Sequence, residues 1–377
     1  MMSPTNTPLI VIAAGGTGGH MMPASALSDM LKDRGYRVML ITDRRGDGIA
    51  AGMADIPRHV TSAESHMTGG VLGKIKSFFS IFKATLEVRK IFLNDKPAAV
   101  IGFGGYPSMP GILAARWVGV PFALHEQNAV LGRVNRAMAP KSTFVALSYK
   151  NTSMIPDGTT TKVTGNPVRK VISKLANVAY SVPFGFGDIR ILVLGGSQGA
   201  RILSDIVPAA ITQLDADLAQ RLVISHQARP EDVGRVKRAY ETAEIRAEVA
   251  PFFNDVASIL VRTQLVIARS GASTLAECAT MARPAILVPL KIAADDHQTK
   301  NAELHQEVGG AWIFKEADFT PPALKDFLGT LFDEDLSKLR SASEGIRQLT
   351  MEDSAETLAE ALIDLVEQND TAMAEAR

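Results

Sequence analysis

The sequence predicts an α/β protein of two domains, each a mostly parallel sheet covered by helices, facing a shared cleft. Three observations predict it. An apolar run at residues 9–14 closes on Gly15-Gly16-Thr17-Gly18-Gly19-His20, and a helix-like stretch follows at 23–34. The same order recurs 180 residues later, with an apolar run at 191–194, then Gly195-Gly196-Ser197-Gln198-Gly199-Ala200, then a helix-like stretch at 200–214. The length of 377 residues suits two domains. Strand, glycine turn and helix together present backbone N–H groups and a helix N-terminus to an anion.

The elements follow in order. Further strands are predicted at 36–42, 98–103, 121–125 and 144–147, with intervening segments long enough for crossover helices. The pattern weakens between Gly165 and Gly187, where Pro167, Pro183 and Gly185 punctuate the chain. Alternation restarts at Ile189, with strands predicted at 189–194, 221–225, 245–249, 265–268 and 284–288. A last helix at 354–367 carries Leu358, Ala361, Leu362 and Leu365 at helical spacing, and the tail after Gln368 is polar. The expected domains are 1–167 and 189–350, joined by a linker at 168–188. Residues 351–377 form a helix packing back towards the first domain, plus the tail.

Composition narrows the function. The chain is 46% hydrophobic, 21% charged and of zero net charge, so no global field points to nucleic acid. One cysteine, Cys278, excludes a disulfide framework and a thiolate metal site, and it reads as core. The first eight residues lack a basic region, so no signal peptide is expected. No apolar run approaches the roughly 18–20 residues that span a bilayer.

Neither glycine turn fits Gly-x-Gly-x-x-Gly. Met21 takes the third glycine's place in the first, and Ser197 the middle one's in the second. Neither ends in Gly-Lys-Ser/Thr. Nicotinamide dinucleotide and ATP phosphoryl chemistry are therefore disfavoured, while diphosphate binding stays open. The bland reading is that the glycines only pack a helix against a strand.

Polar clusters gather at strand ends, where such sheets bind ligands. They are His20; Gly104-Gly105-Tyr106-Pro107-Ser108; His125-Glu126-Gln127-Asn128; and Gly165-Asn166-Pro167-Val168-Arg169. The second half adds Arg269-Ser270-Gly271-Ala272-Ser273-Thr274, with Glu277 one turn into a helix, and Asp295-Asp296-His297-Gln298. Any single histidine here could be a satisfied core residue, and Glu277 could merely solvate its helix. No His-Glu-x-x-His, Asp-x-Asp or Gly-x-Ser-x-Gly pattern occurs at these ends.

Residues 71–90 place Ile75, Phe78, Phe79, Ile81 and Phe82 among Lys74, Lys76, Lys83, Arg89 and Lys90. That pattern suits a helix on an anionic bilayer, and equally a core-facing helix with a solvated basic side.

Seven motifs occur in one order: Gly-Gly-Thr-Gly-Gly-His, Gly-Phe-Gly-Gly-Tyr-Pro-Ser, His-Glu-Gln-Asn, Gly-Asn-Pro-Val-Arg, Gly-Gly-Ser-Gln-Gly-Ala, Arg-Ser-Gly-Ala-x-Thr-x-x-Glu and Asp-His-Gln-x-x-Asn-Ala. With them the chain, over residues 8–365, resembles the MurG family of UDP-N-acetylglucosamine transferases. The resemblance implies a GT-B fold, two Rossmann-like domains around a central cleft. It implies an inverting transfer of N-acetylglucosamine, without metal or other cofactor, to the C4 hydroxyl of N-acetylmuramoyl-(pentapeptide) pyrophosphoryl-undecaprenol (lipid I). The product is β-1,4-linked lipid II.

By the same resemblance, UDP-N-acetylglucosamine is bound by Thr17, Gly18, Gly19, Asn128, Arg169, Ser197, Phe253, Ala272, Ser273, Thr274, Glu277 and Gln298. His20 is the candidate base or orienter of the acceptor, with Asn128 near the donor sugar. Gly104, Gly105, Tyr106, Ser108, His125 and Glu126 are assigned to the acceptor. The chain departs from the family at Phe253, where a smaller aliphatic residue is common, and at His297, where some members carry Gln. A lipid-linked acceptor favours contact of Ile75, Phe78, Phe79, Phe82 and the nearby lysines with the cytoplasmic face of the inner membrane, and wall-synthesis proteins as partners. Another UDP-sugar enzyme of the same fold, an epimerase or glycolipid transferase, is the alternative. A nucleotide-sugar binding module is a third reading.

Overall fold

The computed structural model describes residues 7–62, 70–196, 199–332 and 335–375, with the backbone alone at 51, 52, 70–72, 74, 370 and 372–375. The chain divides into two compact units, Met1–Lys170 with Asp353–Arg377, and Val171–Glu352.

The first unit holds β1 (Leu9–Ala13), β2 (Arg37–Thr42), β3 (Arg58–Val60), β4 (Ala99–Gly102), β5 (Phe122–Glu126), β6 (Val145–Leu147) and β7 (Thr161–Val163). They form one parallel sheet in the order β3-β2-β1-β4-β5-β6-β7. A parallel sheet is covered on both faces, so its central strands are apolar without alternation. β1 is Leu-Ile-Val-Ile-Ala and wholly buried. Its residues divide by parity. Ile10 and Ile12 enter one core layer, and Leu9, Val11 and Ala13 the other.

The first of those layers is completed from the far end of the sequence. Leu358, Ala359, Ala361, Leu362, Leu365 and Val366, on the helix Ser354–Glu375, pack with Ile10, Ile12, Leu27, Leu31 and Ile101. Arg34 pairs with Glu356 across that contact.

The second unit holds β8 (Ile189–Leu194), β9 (Leu222–Gln227), β10 (Arg246–Ala250), β11 (Leu265–Ala268), β12 (Ala285–Leu287) and β13 (Ala311–Ile313). All pair in parallel, in the order β10-β9-β8-β11-β12-β13. Ile189, Ile191 and Val193 meet Leu203, Val207 and Ile211 of the helix Arg201–Ile211, and Leu324 and Leu328 of the helix Pro321–Leu331. Cys278 is 1% exposed within this unit, and burial pushes its thiol up to about 12.

Ten strands fall where the sequence predicts them. Three short edge strands, β3, β7 and β13, do not follow from the pattern. β3 carries Arg58 and His59, and β7 Thr161 and Lys162. In β3 and β7 polar edge positions discourage pairing with other chains and erase the apolar signal, whereas β13, Ala-Trp-Ile, is apolar and only three residues long. The first helix starts at Gly18, inside the glycine motif.

The stretch 71–90 lies in a helix, Gly70–Asn94. Ala84, Val88 and Phe92 are fully buried, while Phe78 and Phe79 are 67% and 64% exposed. Ile75, Phe82 and, from the next helix, Trp117 are also exposed. Phe82 lies 6.3 Å from Trp117 between ring centroids, and Arg89 sits over the same indole.

Leu362 is fully buried in a layer that would otherwise open to water. Leu362→Ala should destabilise the first unit by about 3 kcal/mol through lost transfer energy and a residual cavity. Urea unfolding followed by circular dichroism measures this, with an unchanged midpoint as the contrary result.

Candidate functional site

The first unit assembles its polar groups at the carboxyl ends of β1, β2, β4 and β5. Gly16 leaves β1 with φ +78°, a conformation that costs glycine little. Thr17 caps the helix Gly18–Asp33 with no side-chain bond to the helix backbone; its Oγ1 lies 3.4 Å from His20 Nδ1. His20 sits in the first turn of that helix. Its Nδ1–H donates to the Gly15 carbonyl at 3.2 Å, so the basic lone pair lies on Nε2. The Gly104-Gly105 turn rests against it: a Cβ added to Gly105 would sit 3.1 Å from His20 Cε1.

The acceptor assignments divide on burial. Tyr106 is half-buried, and its Oη–H donates to Asp43 Oδ2 at 2.9 Å. Ser108 is fully buried and donates to the Gly105 carbonyl. His125 is also fully buried. Its Nε2–H donates to the Gly165 carbonyl at 3.0 Å, and its Nδ1 faces the Gln127 amide at 3.0 Å. Glu126 is 2% exposed; Oε1 accepts from the Asn128 backbone and amide, and Oε2 from Gly132 N and Asn135 Nδ2. Ser108, His125 and Glu126 are thus buried and hydrogen-bonded within the unit. Burial and internal bonding make them supports of the turns at Gly105, Gly165 and Asn128. Asn128 is half-buried with its NH2 directed at Glu126. Arg169 is half-buried and belongs to this first unit.

The second unit repeats the arrangement with different supports. Gly196 and Gly199 have φ +79° and +68°. A Cβ on Gly195 would lie 2.3 Å from Ala200 N, so only glycine fits. Gln227 Nε2 donates to the Gly196 carbonyl. Ser197 lies outside the described residues. After β11, Gly271 opens the helix Ala272–Thr280 with no side-chain cap. Its first N–H groups are therefore left for water or a ligand. Ala272 is buried, Ser273 and Thr274 are half-buried, and Glu277 is 9% exposed. Phe253 is buried, whereas Phe252 beside it is 65% exposed.

Gln298 Oε1 accepts from the Leu290 backbone at 3.0 Å, which turns its NH2 outward from that bond. Ser270 Oγ donates to the Gln298 carbonyl, and Asn301 Nδ2 to the Ser270 carbonyl. Arg269 donates to the Val288 and Pro289 carbonyls and pairs with Glu316 at 2.6 Å. Asp295 and Asp296 have φ +50° and +53°, a strained approach to His297. His297 Nδ1–H donates to the Ala294 carbonyl at 2.7 Å. Among the described residues, no group of three His, Cys, Asp or Glu side chains is placed to hold a metal ion.

Asp43, Asn135 and Glu316 were missed by motif reading. Asp43 alone had a signal, as an acid at the end of a second strand, where dinucleotide folds address a ribose.

Each unit is Rossmann-like, a parallel sheet with a glycine turn and a helix N-terminus at its strand ends, the architecture of the GT-B fold of glycosyltransferases. The glycosyltransferase family 28 N-terminal domain matches residues 10–147, and the C-terminal domain of that family matches 190–374. The chain belongs to glycosyltransferase family 28. It is 44% identical to the UDP-N-acetylglucosamine–N-acetylmuramyl-(pentapeptide) pyrophosphoryl-undecaprenol N-acetylglucosamine transferase of Paramagnetospirillum magneticum, over 96% of this chain and 98% of the relative. Identity to the protein of the same name from Granulibacter bethesdensis is 45%, over 97% and 95%. The crystal structure of Acinetobacter baumannii MurG superposes with a TM-score of 0.76 at 30% identity, covering 96% of this chain and 99% of that one.

Burial holds three histidines neutral. It pushes His125 and His305 down to about 4 and His226 to about 3, from 6.5. For His125 the bond to Gly165 opposes this shift, and His20 adds to it. In the unfolded chain these imidazoles take up protons below 6.5; folded, they do not until the lower values. Their stabilisation is complete above 6.5 and is lost as pH falls below it. The thermal midpoint should decline steadily from pH 6.5 to about 5, before most carboxylates titrate. A flat midpoint there would contradict the assignment.

Proposed function

We propose that this chain moves N-acetylglucosamine from UDP-N-acetylglucosamine to the C4 hydroxyl of lipid I. The reaction forms β-1,4-linked lipid II and releases UDP. Near full-length identity to transferases of that name carries the reading. In this reading the second unit binds the donor. The open amides at Ala272–Thr274 and the glycine turn beginning at Gly195 take the diphosphate. Glu277 accepts from ribose hydroxyls, the backbone at Phe253 addresses uracil, and the Gln298 amide addresses the sugar; Arg169, of the first unit, is also assigned to uracil. The first unit binds the acceptor at the Gly104-Gly105-Tyr106 turn, with Thr17, Gly18, Gly19 and Asn128 towards the donor sugar.

His20 Nε2 takes the C4 hydroxyl proton as the oxygen attacks the anomeric carbon. The bond from that carbon to the UDP oxygen breaks on the opposite face, which inverts the configuration. Amides and the helix N-terminus stabilise the charge that develops on the leaving diphosphate. An epimerase would change UDP-N-acetylglucosamine without an acceptor, and a binding module would not turn it over. UDP release that depends on a lipid I analogue supports the transferase and removes both. His20→Ala should lower kcat by about 10²–10⁴-fold. Unchanged turnover at saturating substrates would remove His20 from the mechanism.

In the same reading, the enzyme works at the cytoplasmic face of the inner membrane. No described helix is long and apolar enough to cross a membrane. The exposed Ile75, Phe78, Phe79, Phe82 and Trp117, with Lys76, Lys83 and Lys90, form the contact in this reading. Each lysine near an anionic surface contributes about 1 kcal/mol, and the aromatic rings seat in the headgroup layer. Phe79→Ser with Phe82→Ser should reduce sedimentation with anionic liposomes while UDP affinity stays unchanged. Equal sedimentation would exclude this surface.

A further inference from the structure

Asp43 follows β2 and is 3% exposed. Its Oδ1 accepts from the backbone N–H of Gly16 and of Gly46, each at 2.9 Å, and its Oδ2 from Tyr106 Oη–H at 2.9 Å. The Gly46 bond caps the short helix Arg44–Ile49. The other two bonds are long-range. They tie the turn after β1 and the turn after β4 to the end of β2.

Packing around the carboxylate is close. A Cβ on Gly15 would lie 2.5 Å from Asp43 Oδ1 and 2.7 Å from Pro107 Cβ. A Cβ on Gly46 would lie 2.8 Å from Gly15 Cα. His20 hangs from the Gly15 carbonyl, so its ring position refers to this carboxylate through one turn.

In dinucleotide-binding folds the acid at this position turns outward to a ribose, and the glycine-turn amides are left for a diphosphate. Here the acid turns inward and occupies one of those amides itself. A carboxylate with three N–H or O–H donors is a strong, directional clamp.

We infer that Asp43 is a positioning residue: a built-in anion at the first glycine turn that sets His20 and Tyr106 for the acceptor. The inference rests on the transferase reading. It adds that the first turn serves geometry and leaves the nucleotide phosphates to the second unit.

The test begins with the wild-type enzyme and a lipid I analogue. Absence of transfer there would remove the functional reading itself, whatever Asp43 does. Given transfer, Asp43→Asn should lower kcat/KM for the acceptor by about tenfold or more, because the NH2 that replaces Oδ2 cannot accept from Tyr106 Oη–H and the negative charge is gone. UDP affinity by calorimetry should stay unchanged. Tyr106→Phe removes one bond and should raise acceptor KM while UDP affinity stays unchanged. Formate should restore part of the turnover of Asp43→Ala by refilling the anion position. Wild-type acceptor kinetics in Asp43→Asn and Tyr106→Phe would overturn the inference. So would a parallel loss of UDP affinity and transfer in Asp43→Asn, which marks general loss of structure.

Discussion

Parallel pairing around one central strand is the constraint on which each unit depends. Every strand of a parallel sheet runs the same way, so every carboxyl end reaches the same edge. In the first unit Ala13 of β1 lies level with Ile41 of β2 and Gly102 of β4. The turns that follow these strands are therefore neighbours, although 27 and 63 residues separate the partners that meet at Asp43. Covering both faces of the sheet then demands apolar strands, and it moves all polar chemistry to the ends. β1 and β4 are wholly buried, and the first polar groups appear just beyond them.

The two units use this edge differently. Around the first glycine turn, a carboxylate and a tyrosine hydroxyl fix the backbone, and a half-buried histidine stands on the helix that follows. Around β11 the helix N-terminus has no side-chain cap, and its surroundings are built from neutral or paired groups. Ser270, Gln298 and Asn301 bond to backbone, and the charge of Arg269 is met by Glu316 with side chains only 13% and 26% exposed. An uncapped helix end amid compensated charge is suited to an anionic guest. A half-buried imidazole whose Nδ1 is held by a carbonyl is suited to a proton.

The helix Gly70–Asn94 shows why periodicity has limits. Its apolar residues exceed what one face can bury. Ala84, Val88 and Phe92 go inward, while Phe78 and Phe79 remain in solvent with Trp117 of the next helix beside Phe82. Sequence spacing records that apolar residues exist on a helix. Only packing shows which of them are left over.

What the sequence by itself determined are the local demands. Glycine turns need backbone that other residues cannot adopt, buried strands need unbroken apolar runs, and both leave marks within a few neighbouring positions. Ten strands and the two glycine turns were legible for that reason. Two edge strands, β3 and β7, were not, because an edge position tolerates Arg58, Thr161 and Lys162 as readily as a loop does; β13, Ala-Trp-Ile, is apolar but only three residues long. What only the tertiary structure decided are the partners. It gave Ser108, His125 and Glu126 bonds within the unit, and it brought in Asn135 and Glu316, which no motif marks, and Asp43, marked only by its place at the end of β2. The physical reason is that a hydrogen bond is a relation between two places. When the second place lies on another strand, nothing near the first residue in the chain records it.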